Sequence, residues 1–277
     1  MGIFKIAFIG GGNMGQAIAT AVIKNNLAAP QDVCIGDVNR QRLEQLQTEF
    51  GVCVSTSNVE AVAGADVVVL AVKPQILEIV MAEMSGKLPR SALLFSIVAG
   101  KQIETLAHGF CHQAVVRAMP NTPAQSGKGI TVWTATQDVM AAQRINAEAI
   151  VHVMGRGIYT GYELFIDLAT AVSGSGPAYT FLFMEEMIKA AVAIGMPGEL
   201  ARILVLQTVL GSAEYATMID KDLVELRRNV TSPGGTTAAA ISVFEKGNFG
   251  GLMKDAVDAA YRRAQELGAQ KHIFSDG

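Results

Sequence analysis

The sequence predicts an α/β protein, a doubly wound, mostly parallel sheet over residues 1–161 followed by an all-helical domain over 162–277. Three observations carry this reading. Short, almost wholly apolar runs alternate with segments of helical spacing through the first 160 residues, as strands covered on both faces require. The β-type runs stop after Gly161. Beyond it the chain reads as long helices apolar over more than one stripe, which a protein buries, often against another subunit.

The predicted strands are, in order, "KIAFIG" (5–10), "VCIGD" (33–37), "VCVS" (52–55), "DVVVLAV" (66–72), "ALLFSIV" (92–98), "AVVRAM" (114–119), "GITVWTA" (129–135) and "GRGIYT" (155–160). Segments between them, such as "RQRLEQLQTEF", have helical periodicity. The resulting βαβαβ order argues a doubly wound sheet. In the second half, "PAYTFLFMEEMIKAAVAIGM" and "GELARILVLQTVLGSAEYATMI" read as two long helices parted at Pro197 and Gly198, with Pro near a helix start. That domain is expected to oligomerise.

Composition narrows the classes. Half of the residues are hydrophobic, 17% are charged and the net charge is −3. This supports a large core and no nucleic-acid footprint. Three cysteines, Cys34, Cys53 and Cys111, are odd in number and widely spaced, which argues against a disulfide framework and for a reduced compartment. No apolar run approaches the ~20 residues of a membrane span. "AFIGGG" is too short for a signal segment, and Ile6 stands where a myristoylation pattern asks for Ser or Thr. The expectation is a soluble cytoplasmic protein with no membrane partner.

The first motif is Gly10-x-Gly12-x-x-Gly15, set between a buried strand and a helix in "KIAFIGGGNMGQAIATAVIKN". In that context it is the Rossmann dinucleotide fingerprint. Gly10 allows the tight turn, Gly12 lets the backbone approach a pyrophosphate and Gly15 lets helix and strand pack closely. Asn13 and Met14 complete the stretch where the helix N-terminus offers free N–H groups to phosphates. Asp37, at the end of the second strand, can accept from the ribose hydroxyls of NAD. It would repel a 2′-phosphate, while Arg40 could offset that repulsion. Asp37 reads equally as a cap or turn residue. "LAVKPQ" brings Ala71, Val72, Lys73 and Pro74 to the end of the fourth strand, and "SIVAG" brings Ala99 to the end of the fifth. Carboxyl ends of parallel strands face the ligand crevice.

His108 and His112 flank Cys111, but Gly109 is expected to interrupt a helix there and no carboxylate partner is evident, so no metal site is expected. Nucleophile-elbow, HExxH and P-loop motifs are missing from the sequence. A cofactor fingerprint without acid–base machinery fits chemistry carried by the cofactor. Two Gly-rich stretches punctuate the helical half, "VSGSGPAY" (172–179) and "VTSPGGTTAAA" (230–240). The second reads as a helix–helix loop, or as a cradle in which free N–H groups of Gly235, Thr236 and Thr237 hold a substrate carboxylate. The residues alone leave both readings open.

Six stretches together, "FIGGGNMG", "AVKPQ", "VRAMPNTP", "VSGSGPAYTFLF", "NVTSPGGTT" and "AYRRAQEL", run in order from residue 8 to residue 267. With them the chain resembles the pyrroline-5-carboxylate reductase family. The resemblance implies NAD(P)H-dependent reduction of 1-pyrroline-5-carboxylate to L-proline, the last step of proline biosynthesis. It implies a Rossmann domain and a helical dimerisation domain, with dimers joined into larger rings, a decamer built from dimers among them. The substrate would sit at the dimer interface facing a nicotinamide. By the same resemblance Thr237 meets the ring nitrogen, Ser232, Gly235 and Thr236 hold the carboxylate, and Asn58 and Asn229 contact the cofactor along with Ala71, Lys73, Pro74 and Ala99. Family members commonly carry Ser or Thr at the position of Asp37, so Asp37 leans toward NADH, and the sequence leaves the choice between NADH and NADPH open.

Other classes compete. A reductase of a 3-hydroxy acid would carry a catalytic lysine at the start of the first long helix. Pro177 and Ala178 stand there, and Lys189 comes too late. A reductase of another cyclic imine shares the architecture. A non-catalytic nucleotide-binding oligomer would not need an intact "TSPGGTT".

Overall fold

The computed structural model describes residues 4–269. The chain packs as two compact units. One runs through Ser175 and takes up the chain again from Ala260; the other is Gly176–Ala259. This division by packing differs from the sequence boundary at residue 161.

The first unit contains β1 (Ile6–Ile9), α1 (Asn13–Lys24), β2 (Val33–Gly36), α2 (Arg40–Phe50), β3 (Cys53–Ser55), α3 (Asn58–Ala61), β4 (Val67–Leu70) and α4 (Leu77–Met84). It continues with β5 (Leu93–Ser96), α5 (Ile103–Phe110), β6 (Val115–Met119), β7 (Gly129–Ala135), α6 (Ala141–Val153), β8 (Gly155–Tyr159) and α7 (Leu164–Ala169). Each strand lies within one of the predicted runs. The sheet order is β3-β2-β1-β4-β5-β6-β7-β8, the Rossmann order extended by two strands. Every pairing is parallel except β6 with β7. A parallel return needs a crossover of a dozen or more residues, and the loop from Pro120 to Lys128 is shorter than that.

The apolar runs of the inner strands have a direct structural cause. Along β1 and β4, Phe8 and Val69 enter one buried cluster with Ile35 and Phe95, while Ala7, Ile9, Val68 and Leu70 enter another. Successive residues face opposite sides of a sheet, so two helical layers demand apolar side chains at every position.

Gly109 and Gly100 are among the glycines dictated by close approach. Gly109 does not interrupt α5, contrary to the sequence expectation. The helix runs through it to Phe110 and ends at Cys111, which adopts the left-handed conformation with φ +50°. A Cβ at Gly109 would lie 2.2 Å from Met81 Sδ on α4. The residue therefore serves helix–helix packing. Gly100 has φ +76°, and a Cβ there would sit 2.7 Å from the carbonyl oxygen of Ala264. The end of the last helix thus meets the loop after β5 backbone to backbone.

The second unit is helical, with α8 (Gly176–Ala193), α9 (Gly198–Met218), α10 (Leu223–Asn229), α11 (Thr236–Lys246) and the first part of α12 (Phe249–Ala269). Ala201 and Val205 of α9 are buried, but many of the unit's larger apolar side chains are not covered within the chain. Phe181, Leu182 and Leu210 are 56%, 59% and 62% exposed. An apolar groove of about 490 Å³ is lined by Tyr179, Leu182, Phe183, Phe244, Phe249 and Leu252. Contiguous exposed apolar surface of this kind marks a protein interface.

Candidate active site

In the first unit the site is built by the turn between β1 and α1. Gly10 has φ +105°, and its N–H donates to the Gly36 carbonyl at 2.8 Å. A Cβ at Gly10 would lie 2.6 Å from the Ala71 carbonyl oxygen, and one at Gly15 would lie 2.2 Å from the Gly10 carbonyl oxygen. Both glycines are required by the protein's own packing. Gly12 is not. A Cβ there would meet nothing within 4 Å, and the residue is exposed. It is the N-cap of α1, without a side-chain cap hydrogen bond. Helix geometry leaves the N–H groups that follow without intrahelical acceptors.

The strand ends converge on this turn. Ala71 N donates to Ile9 O at 2.8 Å, which holds the end of β4 beside Gly10. Val72 and Pro74 are half-buried and Lys73 is exposed. Ala99 is half-buried after β5. Asn58 opens α3, where its Nδ2 donates to Glu83 Oε2 at 2.9 Å. Its Oδ1 lies 2.9 Å from where a Gly36 Cβ would stand.

Asp37 proves to be a turn organiser. One carboxylate oxygen accepts the Gly11 N–H at 2.7 Å and the other accepts the Asn39 N–H at 2.9 Å. The cap of α2 is Asn39, which accepts from Arg42 N at 3.1 Å. Arg40 is exposed as the first residue of α2. The cation drawn into the fingerprint is Arg42. Its Nε donates to Gly11 O at 2.9 Å and its Nη2 donates to Gln16 Oε1. The sequence reading missed Arg42, since two arginines on one turn cannot be told apart without the rotation of α2.

In the second unit, Ser232, Pro233, Gly234 and Gly235 form a turn in which Gly235 N donates to Ser232 O at 3.0 Å. Gly234 has φ +72°. Pro followed by a left-handed glycine is the signature of a type II turn. Gly235 then caps α11 in an extended conformation. Its N–H is engaged by the turn and is not free, as the sequence reading had it. The donors that α11 leaves without intrahelical acceptors are those of Thr236, Thr237 and Ala238. Thr237 is half-buried, while Ser232 and Thr236 are exposed. Asn229 ends α10 and is exposed.

The remaining titratable groups fall into structural roles. His112 is buried with Nε2 at 2.7 Å from the Ala92 carbonyl oxygen. Among the described residues no three His, Cys, Asp or Glu side chains gather as metal ligands. Lys189 Nζ donates to Glu185 and Glu186 at 2.6 and 2.8 Å, and these bonds raise its pKa. A surface ammonium held by two carboxylates is not a poised base.

Comparison with known proteins agrees with this geometry. Residues 163–267 match the family model for pyrroline-5-carboxylate reductase dimerisation, and residues 5–100 match that for NADP oxidoreductase, coenzyme F420-dependent. The chain is 41% identical to a pyrroline-5-carboxylate reductase of Synechocystis over 95% of this chain and 98% of the relative. It is 40% identical to the one of Pseudomonas aeruginosa over 96% and 97% of the two chains. Two solved reductases superpose closely. The Coxiella burnetii structure has a TM-score of 0.84 at 37% identity, covering 97% of this chain and all (100%) of that one. The Plasmodium falciparum structure, with NADP bound, has a TM-score of 0.89 at 32% identity, covering 96% and 98%. The fingerprint turn, the capped threonine pair and this near-complete likeness place the chain in the pyrroline-5-carboxylate reductase family.

Proposed function

We propose that this chain reduces the C=N bond of 1-pyrroline-5-carboxylate to give L-proline, using NADPH or NADH. The observation that carries the proposal is the type II turn at Ser232–Gly235 running into α11. It puts three hydroxyls, of Ser232, Thr236 and Thr237, and a row of helix N-terminal N–H groups together without a titratable side chain. That is a carboxylate cradle, and it suits a reaction that needs position more than acid or base.

The dinucleotide fits the first unit. Gly12 is the one glycine of the fingerprint with open space beside it, as a backbone that admits a pyrophosphate requires. Gly12, Asn13 and Met14 hold the phosphates, Gly10 and Gly15 shape the turn, and Asp37 with Arg40 lies at the ribose end. Ala71, Val72, Lys73, Pro74, Ala99 and Asn58 border the strand-end crevice, and Asn229 is a further cofactor contact by resemblance to the family. When bound, the reduced nicotinamide supplies the hydride.

The chain's own residues supply the rest. The N–H groups of Thr236 and Thr237, with the Ser232 hydroxyl, hold the carboxylate, and Gly235, whose own N–H is taken by Ser232 O, shapes the turn that presents them. The Thr237 hydroxyl accepts a hydrogen bond from the protonated ring nitrogen. Hydride adds to the carbon of the C=N bond, and the bonding pair moves onto nitrogen, so no protein group gains or loses a proton in that step. In this reading residues 1–161 bind the cofactor and residues 162–277 bind the substrate. The exposed apolar faces of α8 and α9 support a homodimer, and a decamer assembled from such dimers is the larger form to look for by light scattering. A cytoplasmic location fits three free thiols, and no described helix is long and apolar enough to cross a membrane.

The experiment is product identification. Incubation with pyrroline-5-carboxylate and reduced cofactor should yield L-proline on a chiral column. An unreacted imine, or a different amino acid, would refute the proposal.

A further inference from the structure

Strands β2 and β3 place two cysteines side by side. Cys34 and Cys53 are register partners, and their sulfurs lie 3.0 Å apart although the residues are 19 positions apart in sequence. Neighbouring strands run ~4.8 Å apart, inside the roughly 4.4–6.8 Å Cα window of disulfides. β3 forms the edge of the sheet and has three residues. It can therefore close on β2 without breaking a strand pairing on its far side.

The two sulfurs are not equivalent. The Cys34 S–H donates to Cys53 Sγ. Cys34 is half-buried and Cys53 is exposed. Burial first, and then the bond to Cys53, push the Cys34 thiol up to about 12. Cys34 keeps its proton, and Cys53 is the sulfur that a dissolved disulfide reaches. The third cysteine has a different neighbour, as Cys111 Sγ lies 3.2 Å from Ser85 Oγ.

We propose that Cys34 and Cys53 form a redox-active dithiol, a modification site for small-molecule disulfides of the glutathione type. The Cys53 thiolate attacks one sulfur of the glutathione disulfide, forming a mixed disulfide and releasing one glutathione, which takes the Cys53 proton. Capping turns Cys53 Sγ into the electrophilic sulfur facing Cys34. Cys34 then attacks Cys53 Sγ and displaces the second glutathione, which takes the Cys34 proton. Two protein thiols are oxidised to one disulfide, and one glutathione disulfide is reduced to two thiols. An exposed bond of this kind belongs to the labile class that thiols reverse.

The test uses the full chain. The protein is treated with glutathione disulfide, free thiols are alkylated, and the peptides are mapped by mass without reduction. The expected result is loss of two of the three alkylatable thiols, a peptide pair joined through Cys34 and Cys53, and Cys111 alkylated. Reduced glutathione should restore both thiols. Cys34→Ser should instead retain glutathione on Cys53. In urea, where the strand register is lost, links should spread over all three cysteines. Stable glutathione on Cys53 of the unaltered protein, both thiols still alkylatable, or an equally selective link in urea would overturn the proposal.

Discussion

The Asp37 carboxylate accepts the backbone N–H of Gly11 at 2.7 Å, tying the end of β2 to the fingerprint turn. Its other oxygen accepts from Asn39 N, so the side chain shapes the loop, and in the proposed cofactor pose it also sets the charge at the ribose end. Asp37→Ser should lower kcat/KM with both cofactors, because a backbone N–H loses its acceptor at about 1–3 kcal/mol. The ratio of kcat/KM with NADPH to that with NADH should rise, since the charge that repels a 2′-phosphate is gone. Steady-state kinetics with each cofactor measures this, and an unchanged ratio would remove Asp37 from cofactor choice.

Gly12 and Gly15 make opposite predictions. Gly12 is a helix N-cap with φ −68° and open space around its missing Cβ, and Ser is a favoured residue at such a cap. Gly12→Ser should keep or slightly raise Tm while raising cofactor KM by roughly tenfold, ~1.4 kcal/mol. Gly15→Ala drives a Cβ against the Gly10 carbonyl and should cost about 1–3 kcal/mol of stability. Thermal melts beside cofactor titrations separate the two. A Tm loss for Gly12→Ser equal to that for Gly15→Ala would mean that Gly12 is needed for packing alone.

Thr237 is half-buried in the first turn of α11. Thr237→Ala should lower kcat/KM by about 1–3 kcal/mol, the range for one hydrogen bond to a charged group. Thr237→Ser should recover most of it. Equal kinetics for the Ala variant and the unaltered enzyme would take Thr237 out of the mechanism.

Arg117 in β6 is 1% exposed, and its guanidinium meets Glu163 at 2.6 Å and Asp167 in α7. Glu163 also accepts the Ile103 N–H at 2.7 Å. Breaking a buried pair from one side leaves an uncompensated charge, which costs about 3–5 kcal/mol. Arg117→Met, which leaves Glu163 and Asp167 facing each other without a cation, should therefore destabilise more than Glu163→Ala, which leaves Arg117 paired with Asp167. Urea unfolding of both variants decides, and the reverse order would contradict this account of the pair.

Alkaline stability reports on Cys34. Its thiol is raised from 9.0 to about 12 in the fold, chiefly by burial. Below the unfolded value both states hold the proton, and stability is at its full level. Above it the unfolded chain loses the proton first, so stability falls as pH rises through that window. Cys34→Ser should lessen the fall in Tm, measured from neutral pH upward. Identical slopes would mean that Cys34 contributes nothing there.

The legible parts of the molecule are those fixed by local pattern. Runs such as "VVVL" fill both faces of a sheet and mark the inner strands β1, β4 and β5, while the less buried β3 and β8 show through β-type residues alone. Gly10, Gly12 and Gly15 could be read because the turn between strand and helix is short in sequence. What depended on distant contacts could not. Gly109 resembles a helix breaker until Met81 is seen against it. Arg42 is drawn to Gly11 by the orientation of α2. Cys34 and Cys53 are neighbours through strand register, which no spacing discloses. The Gly235 N–H is lost to its own turn, a matter of one hydrogen bond at Ser232 O.

The most direct measurement of the central claim is steady-state oxidation of NADH and of NADPH in the presence of pyrroline-5-carboxylate. The account predicts imine-dependent turnover with at least one cofactor. Absence of turnover with both, in protein that melts cooperatively, would contradict it.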